Sequence, residues 1–205
     1  MFFHTGHSRG GDVARTGGTG VSLDQLNAMD RDDFVTTLRP LFNNETWPLE
    51  TTWESRPFDN VGQLREAIQV AVLTADVERR EQLIHDYPAM DELLLADDEG
   101  AAAISADRGS LGLGELDDVQ TEQITQLSAA YRERFGMPFV AYLDTNDTFE
   151  RVLDAGVRRL ANSEPQEHRV ALSEIVEIAG DRFDILLADA NPIRSAWDRK
   201  FTEVE

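Results

Sequence analysis

Cysteine is absent from the 205 residues, lysine occurs once, at Lys200, and no apolar run approaches the length of a membrane span. The first absence excludes a disulfide framework and thiolate chemistry. The second accompanies an acid excess: 39 Asp and Glu face 19 Lys and Arg, for a formal charge of -20. No basic stripe is left to neutralise phosphates, which argues against a nucleic-acid partner. The third excludes a transmembrane helix, which needs about 20 apolar residues. The opening MFFHTGHSRGGDVARTGGTG lacks a charged start followed by a long apolar block, so it does not read as a signal peptide. A phosphate loop, GxSxG and HExxH are missing as well. A cytoplasmic protein is the expectation.

What is present is an apolar fraction of 41%, enough for one globular domain at this length. Residues 1–20, rich in glycine, read as a disordered or tag-like tail, and residues 21–205 as the domain. The acids are spread along the chain. Acid excess with almost no lysine is the pattern of proteins from salt-loving cells, where screening relieves self-repulsion; its other reading is an ordinary acidic protein.

The periodicity is helical almost throughout. Ser22 is placed to cap a short helix through LDQLNAM, and Asp30 to cap the next, which should fail near Pro40. NNETWPLETTWESRPF reads as an ordered, aromatic-rich connection whose tryptophans are candidate interface anchors. Helices are predicted over 61–72, 77–85, 118–135, 149–161 and 167–187, with a last short one after Pro192. Gly136 should stop the third of these and Pro88 the one before it. Residues 91–116 give a mixed signal. MPFVAYL is β-prone but has no partner strand, so it reads as an extended segment between helices. The sum is an all-α, compact multi-helix single domain.

The histidines are His4, His7, His85 and His168. The first two fall in the tail, and His168 reads as a solvated residue at a polar helix start. His85 is the imidazole best placed for catalysis. Its other reading is a helix C-terminal histidine favoured by the dipole.

Three phrases carry a resemblance. LNAMDRDDFVTTLRPLFNNETWPLETTWESRPF, LSAAYRERFGMPFV and EIVEIAGDRF occur in the order and spacing seen in the OHCU decarboxylases. Those enzymes process 2-oxo-4-hydroxy-4-carboxy-5-ureidoimidazoline, a late intermediate of urate breakdown. The resemblance runs from about Ser22 to Leu187. It implies an all-helical, homodimeric enzyme without metal or other cofactor. Such an enzyme removes carbon dioxide and protonates one face of the carbanion, giving (S)-allantoin.

The resemblance also implies site residues. LIHDYPAM aligns with the family's LIRAHPDL, which puts Tyr87, followed by Pro88, at the catalytic histidine's place, with His85 the alternative. The family's S..EQ falls on Ile104, Asp107 and Arg108, so that Asp107 stands for the glutamate. Phe139, Val140, Ala141, Tyr142 and Leu143 keep the extended substrate segment, and Arg182 keeps the arginine of the last helix. For Tyr87 two readings stand side by side: a proton donor or substrate contact, and a packed tyrosine with its hydroxyl tied to a neighbour. Two functions likewise stand: a decarboxylase with a substituted site, and a catalytically impaired relative serving as a binding or partner subunit.

Overall fold

The computed structural model describes residues 20–43, 45–95, 116–143 and 147–187. The expected tail, the helix after Pro192, and Ile104, Asp107 and Arg108 lie outside them. Nine α-helices are seen among the described residues: α1 (Leu23–Ala28), α2 (Arg31–Leu38), α3 (Trp47–Trp53), α4 (Val61–Leu73), α5 (Val77–His85), α6 (Met90–Leu95), α7 (Asp118–Phe135), α8 (Phe149–Arg159) and α9 (Glu164–Leu186). A 3-10 turn, Arg39–Phe42, follows α2. No named strand occurs among these residues, and Val21 and Leu187 form an isolated parallel bridge. None of the described helices is long and apolar enough to cross a membrane.

The helix starts follow local chemistry. Ser22, Asp30, Asn60, Asp76, Asp117 and Thr148 each accept a backbone N–H of the first turn that has no partner inside the helix. Ser22 with Gln25, and Asp117 with Gln120, complete reciprocal capping boxes. Gly136 ends α7 at φ 66°, a left-handed conformation that glycine adopts without a Cβ penalty.

The longest helix, α9, is central. It buries Ala171, Leu172, Ile175, Val176, Ala179 and Phe183 and packs against α4, α5 and the 3-10 turn. Helices α2 and α3 join this group through the 3-10 turn and α4, and α7 lies against α6 and α8. One contiguous core runs through all of them, from Leu26 to Leu187.

The opening phrase folds into a single joint. Asn27 grips the Phe58 backbone twice, donating to its C=O and accepting from its N–H, each at 2.9 Å. Arg56 donates to the carbonyls of Leu26 and Asn27 at 3.3 and 3.2 Å, and also to that of Met29. Its guanidinium lies over the Trp53 ring at 4.3 Å. These contacts occupy carbonyls at the end of α1 and explain why Leu26-Asn27 and Arg56-Pro57-Phe58 belong to one motif.

Several expectations are corrected. The aromatic-rich connection contains α3, with Pro48 in its first turn, where a missing N–H costs nothing. Its aromatics go inward: Phe58 joins the core, and Trp47 and Trp53 pack against it. Helix α6 was not anticipated. Helix α9 starts at Glu164 rather than 167, because Pro165 opens its first turn instead of preceding it. His168 is half-buried rather than solvated.

Candidate functional site

The end of α5 builds the first cleft. Asp86 caps the helix by donating its N–H to Gln82 C=O at 2.9 Å, Tyr87 N–H reaches Ile84 C=O at 3.2 Å, and Pro88 prevents another turn. The chain then turns into α6, and Met90 N–H donates to Phe139 C=O at 3.2 Å. This bond docks the corner 87–90 on the extended segment 137–143. A cleft of about 380 Å³ opens beside it, lined by His85, Tyr87, Pro88, Glu92, Arg132 and Pro138, among others.

Within it the two candidate groups differ in environment. Tyr87 is 4% exposed and belongs to the core. His85 is exposed at the helix end. Arg132, on α7, is held by Glu92 at 3.1 Å and Asp91 at 3.7 Å, so its charge is shared with α6. With Asp86 beside them, acids outnumber bases on this wall.

Phe139 and Val140 are buried, whereas Ala141, Tyr142 and Leu143 line a second cleft of about 330 Å³ together with Arg151, Arg158, Arg159 and Glu174. Under this segment lies a buried polar network with little signal in the sequence. Glu167 is fully buried. It accepts from Arg159 Nε at 2.8 Å and from Asn162 Nδ2 at 2.7 Å, and its Oε1 is 2.6 Å from Arg159 Nη2. Tyr131 Oη lies 3.3 Å from the same carboxylate. Burial pushes the Tyr131 phenol well above its ordinary pKa, and the neighbouring Glu167 adds to the rise, although Arg159 opposes it. The Arg158–Arg159 pair in a chain so poor in bases was the available hint. Phe139 stacks near Tyr131, with ring centroids 4.8 Å apart, and lies 5.2 Å below the Arg159 guanidinium.

Arg182 sits on the far face of α9. Its Nη1 donates to Asn43 Oδ1 at 2.8 Å and to the Pro40 and Leu41 carbonyls at 3.2 and 3.4 Å, at the end of the 3-10 turn. One residue earlier, Asp181 accepts from Tyr142 Oη at 2.8 Å. The sequence-predicted residues therefore divide. Tyr87, Pro88 and His85 share one cleft; Ala141, Tyr142 and Leu143 line another; Arg182 braces the 3-10 turn. No group of three acidic or histidine side chains among the described residues is arranged to hold a metal ion.

Comparison with known proteins places these features in context. The sequence model described as OHCU decarboxylase matches residues 27–184. A 2-oxo-4-hydroxy-4-carboxy-5-ureidoimidazoline decarboxylase of Haloferax volcanii is 36% identical over 160 residues, covering 78% of this chain and 92% of the relative. One from Halalkalicoccus jeotgali is 26% identical over 168 residues, covering 82% and 93%. A crystal structure of (S)-allantoin synthase superposes with a TM-score of 0.63 at 21% identity. That similarity covers 82% of this chain but about half, 54%, of the other, and it speaks for the fold.

Proposed function

The chain belongs to the OHCU decarboxylase family, and from that premise we propose that it decarboxylates 2-oxo-4-hydroxy-4-carboxy-5-ureidoimidazoline to (S)-allantoin in urate catabolism. The observation that carries this reading is the family match across residues 27–184, which includes the Tyr87 corner and the segment docked on it.

In the proposed reaction the C–C bond to the carboxylate breaks and carbon dioxide leaves. The electron pair passes into the ureidoimidazoline ring, and a proton delivered to one face of the ring carbon completes the product. Tyr87 is the proposed donor. A phenol with an ordinary pKa of about 10 is an acid, and a poor base, at neutral pH. Arg182 is proposed to meet the substrate's anionic end, which its planar fork suits. That requires it to share or exchange the carbonyls it now braces. Asp107, Ile104 and Arg108 are proposed as further substrate contacts on the alignment alone, and Phe139 to Leu143 as the backbone wall.

The buried phenol standing in the histidine's place favours a second reading, a relative that keeps the fold as a binding or partner subunit. One assay separates the two. The protein is given freshly generated intermediate in molar KCl, and allantoin is followed by circular dichroism. A chiral signal appearing faster than spontaneous decay supports the enzyme. Racemic allantoin at the spontaneous rate overturns it in favour of the second reading.

The same proposal extends to surroundings. The acid excess and the two relatives from halophilic archaea support a salt-adapted protein. The cysteine-free composition fits the cytoplasm. A homodimer is inferred from the family resemblance, with exposed Val70, Leu73 and Val77 around the α4–α5 turn as candidate contacts. Light scattering in high salt that gives one 23.0 kDa chain would refute it.

A further inference from the structure

The extended segment 137–143 pairs with no strand among the described residues, so its peptide groups need other partners. Phe139 C=O takes Met90 N–H. Val140 C=O accepts from Arg159 Nη1 at 2.9 Å. Tyr142 N–H donates to Glu174 Oε2 at 2.7 Å. The last two bonds come from side chains that also face each other: Arg159 Nη1 is 3.5 Å from Glu174 Oε1. The other edge of the same guanidinium is fixed by Glu167. Glu167, Arg159 and Glu174 thus form a continuous charged chain from the interior to the segment. Ala141 is held between two anchored peptide groups.

A loop needs no such investment to be merely folded. Its peptide groups could bond water at the edge of the cleft that Ala141, Tyr142 and Leu143 line. Here charged side chains, one of them only 13% exposed, are committed to two backbone atoms two residues apart. Charge-assisted bonds of this kind are shorter and stronger than neutral ones, and they fix geometry where small displacements cost rate. Tyr142 adds a second tie through Asp181, next to Arg182.

We propose that Arg159 and Glu174 are positioning residues for the decarboxylation, holding Val140 and Tyr142 so that the substrate-facing segment is preset. The proposal rests on the functional reading above. Glu174 is the better handle, because its side chain is 27% exposed and its loss leaves the Arg159–Glu167 pair in place.

The experiment compares Glu174→Ala, Glu174→Gln and the wild type in molar KCl by amide hydrogen exchange and by steady-state kinetics. Glutamine keeps an acceptor for Tyr142 N–H; alanine does not. Glu174→Ala is expected to speed exchange in the peptide covering 140–143 by about tenfold or more while α4 stays protected. It should lower kcat by about tenfold or more with a smaller change in KM. Glu174→Gln should recover most of both. Unchanged exchange in Glu174→Ala overturns the clamp. Faster exchange with kcat and KM near wild type overturns its role in the reaction and leaves a structural tie. Wild-type protein that forms no (S)-allantoin instead overturns the functional reading and the positioning role with it, and the exchange measurement then decides the clamp alone.

Discussion

Arg159 and Glu167 close a salt bridge at 2.6 Å around a carboxylate with no solvent exposure. Such a pair gains little over a well-packed apolar replacement, but breaking it strands a buried charge. Glu167→Ala should therefore cost about 3–5 kcal/mol. Urea unfolding at constant KCl measures it, and a midpoint within error of wild type would show that the guanidinium finds relief elsewhere.

The helix that carries Arg159 approaches the core through a glycine. A Cβ on Gly156 would lie 2.4 Å from Leu127 Cδ2 and 2.9 Å from Phe139 Cζ. Gly156→Ala should push α8 outward, at about 1–3 kcal/mol for overpacking. Because Phe139 belongs to the proposed substrate segment, turnover should fall as well. A variant with wild-type stability and turnover would mean that both neighbours move aside freely.

Tyr131 sets a limit on alkaline stability. Burial raises its folded-state pKa above the ordinary 10.0. The folded state therefore binds the phenolic proton more tightly than the unfolded chain does. Its contribution is complete below pH 10 and is lost as pH rises from there toward the raised folded value. Melting temperature should decline across this range, and Tyr131→Phe should flatten the decline. Parallel slopes in the two proteins would remove Tyr131 as the cause.

Tyr87→Phe deletes the proposed proton donor with little change in packing. A fall in (S)-allantoin formation of about 100-fold or more is expected, in line with the loss of a general acid. His85→Ala, at an exposed helix end, should change it less than about threefold. Tyr87→His combined with Asp107→Glu and Ile104→Ser should raise the rate, since imidazole both donates and accepts at neutral pH. Activity that survives Tyr87→Phe and disappears with His85→Ala would make His85 the catalytic group.

Stability should rise with salt. A net charge of -20 repels itself over a screening length of ~10 Å at 0.1 M and ~3 Å at 1 M. Melting temperature is expected to climb from low to molar KCl, and a flat profile would contradict a salt-adapted surface.

Much of the scaffold was legible because its signals are local. Helices α5 and α7 have the bounds that their neighbours in sequence dictate: Asp76 and Asp117 as caps, Pro88 and Gly136 as stops. Helix α3 was hidden because its seven residues include a proline and two tryptophans, and its stability comes from Leu49 and Thr52 buried against neighbouring helices rather than from propensity. The site was less legible for a related reason. Glu167 and Glu174 look like any other acids in an acidic chain. Their partners, Arg159, Tyr131 and Tyr142, are 8 to 36 residues away, and only the crossing of α7, α8 and α9 brings them together. The place of Tyr87 came from alignment with a motif, not from periodicity, which marks it simply as a residue before a proline.

Val21 and Leu187 meet at their isolated bridge, with Val21 N–H donating to Leu186 C=O at 3.1 Å. The helical unit is thus entered and left through one doorway. Joining the two positions by a loop long enough to double back, since the bridge is parallel, and opening the chain at the turn Thr74–Ala75 would reorder the helices along the sequence while leaving their neighbours in space the same. The same geometry lets the unit be spliced into a surface loop of another protein as a self-contained cassette, its host chain interrupted at a single point.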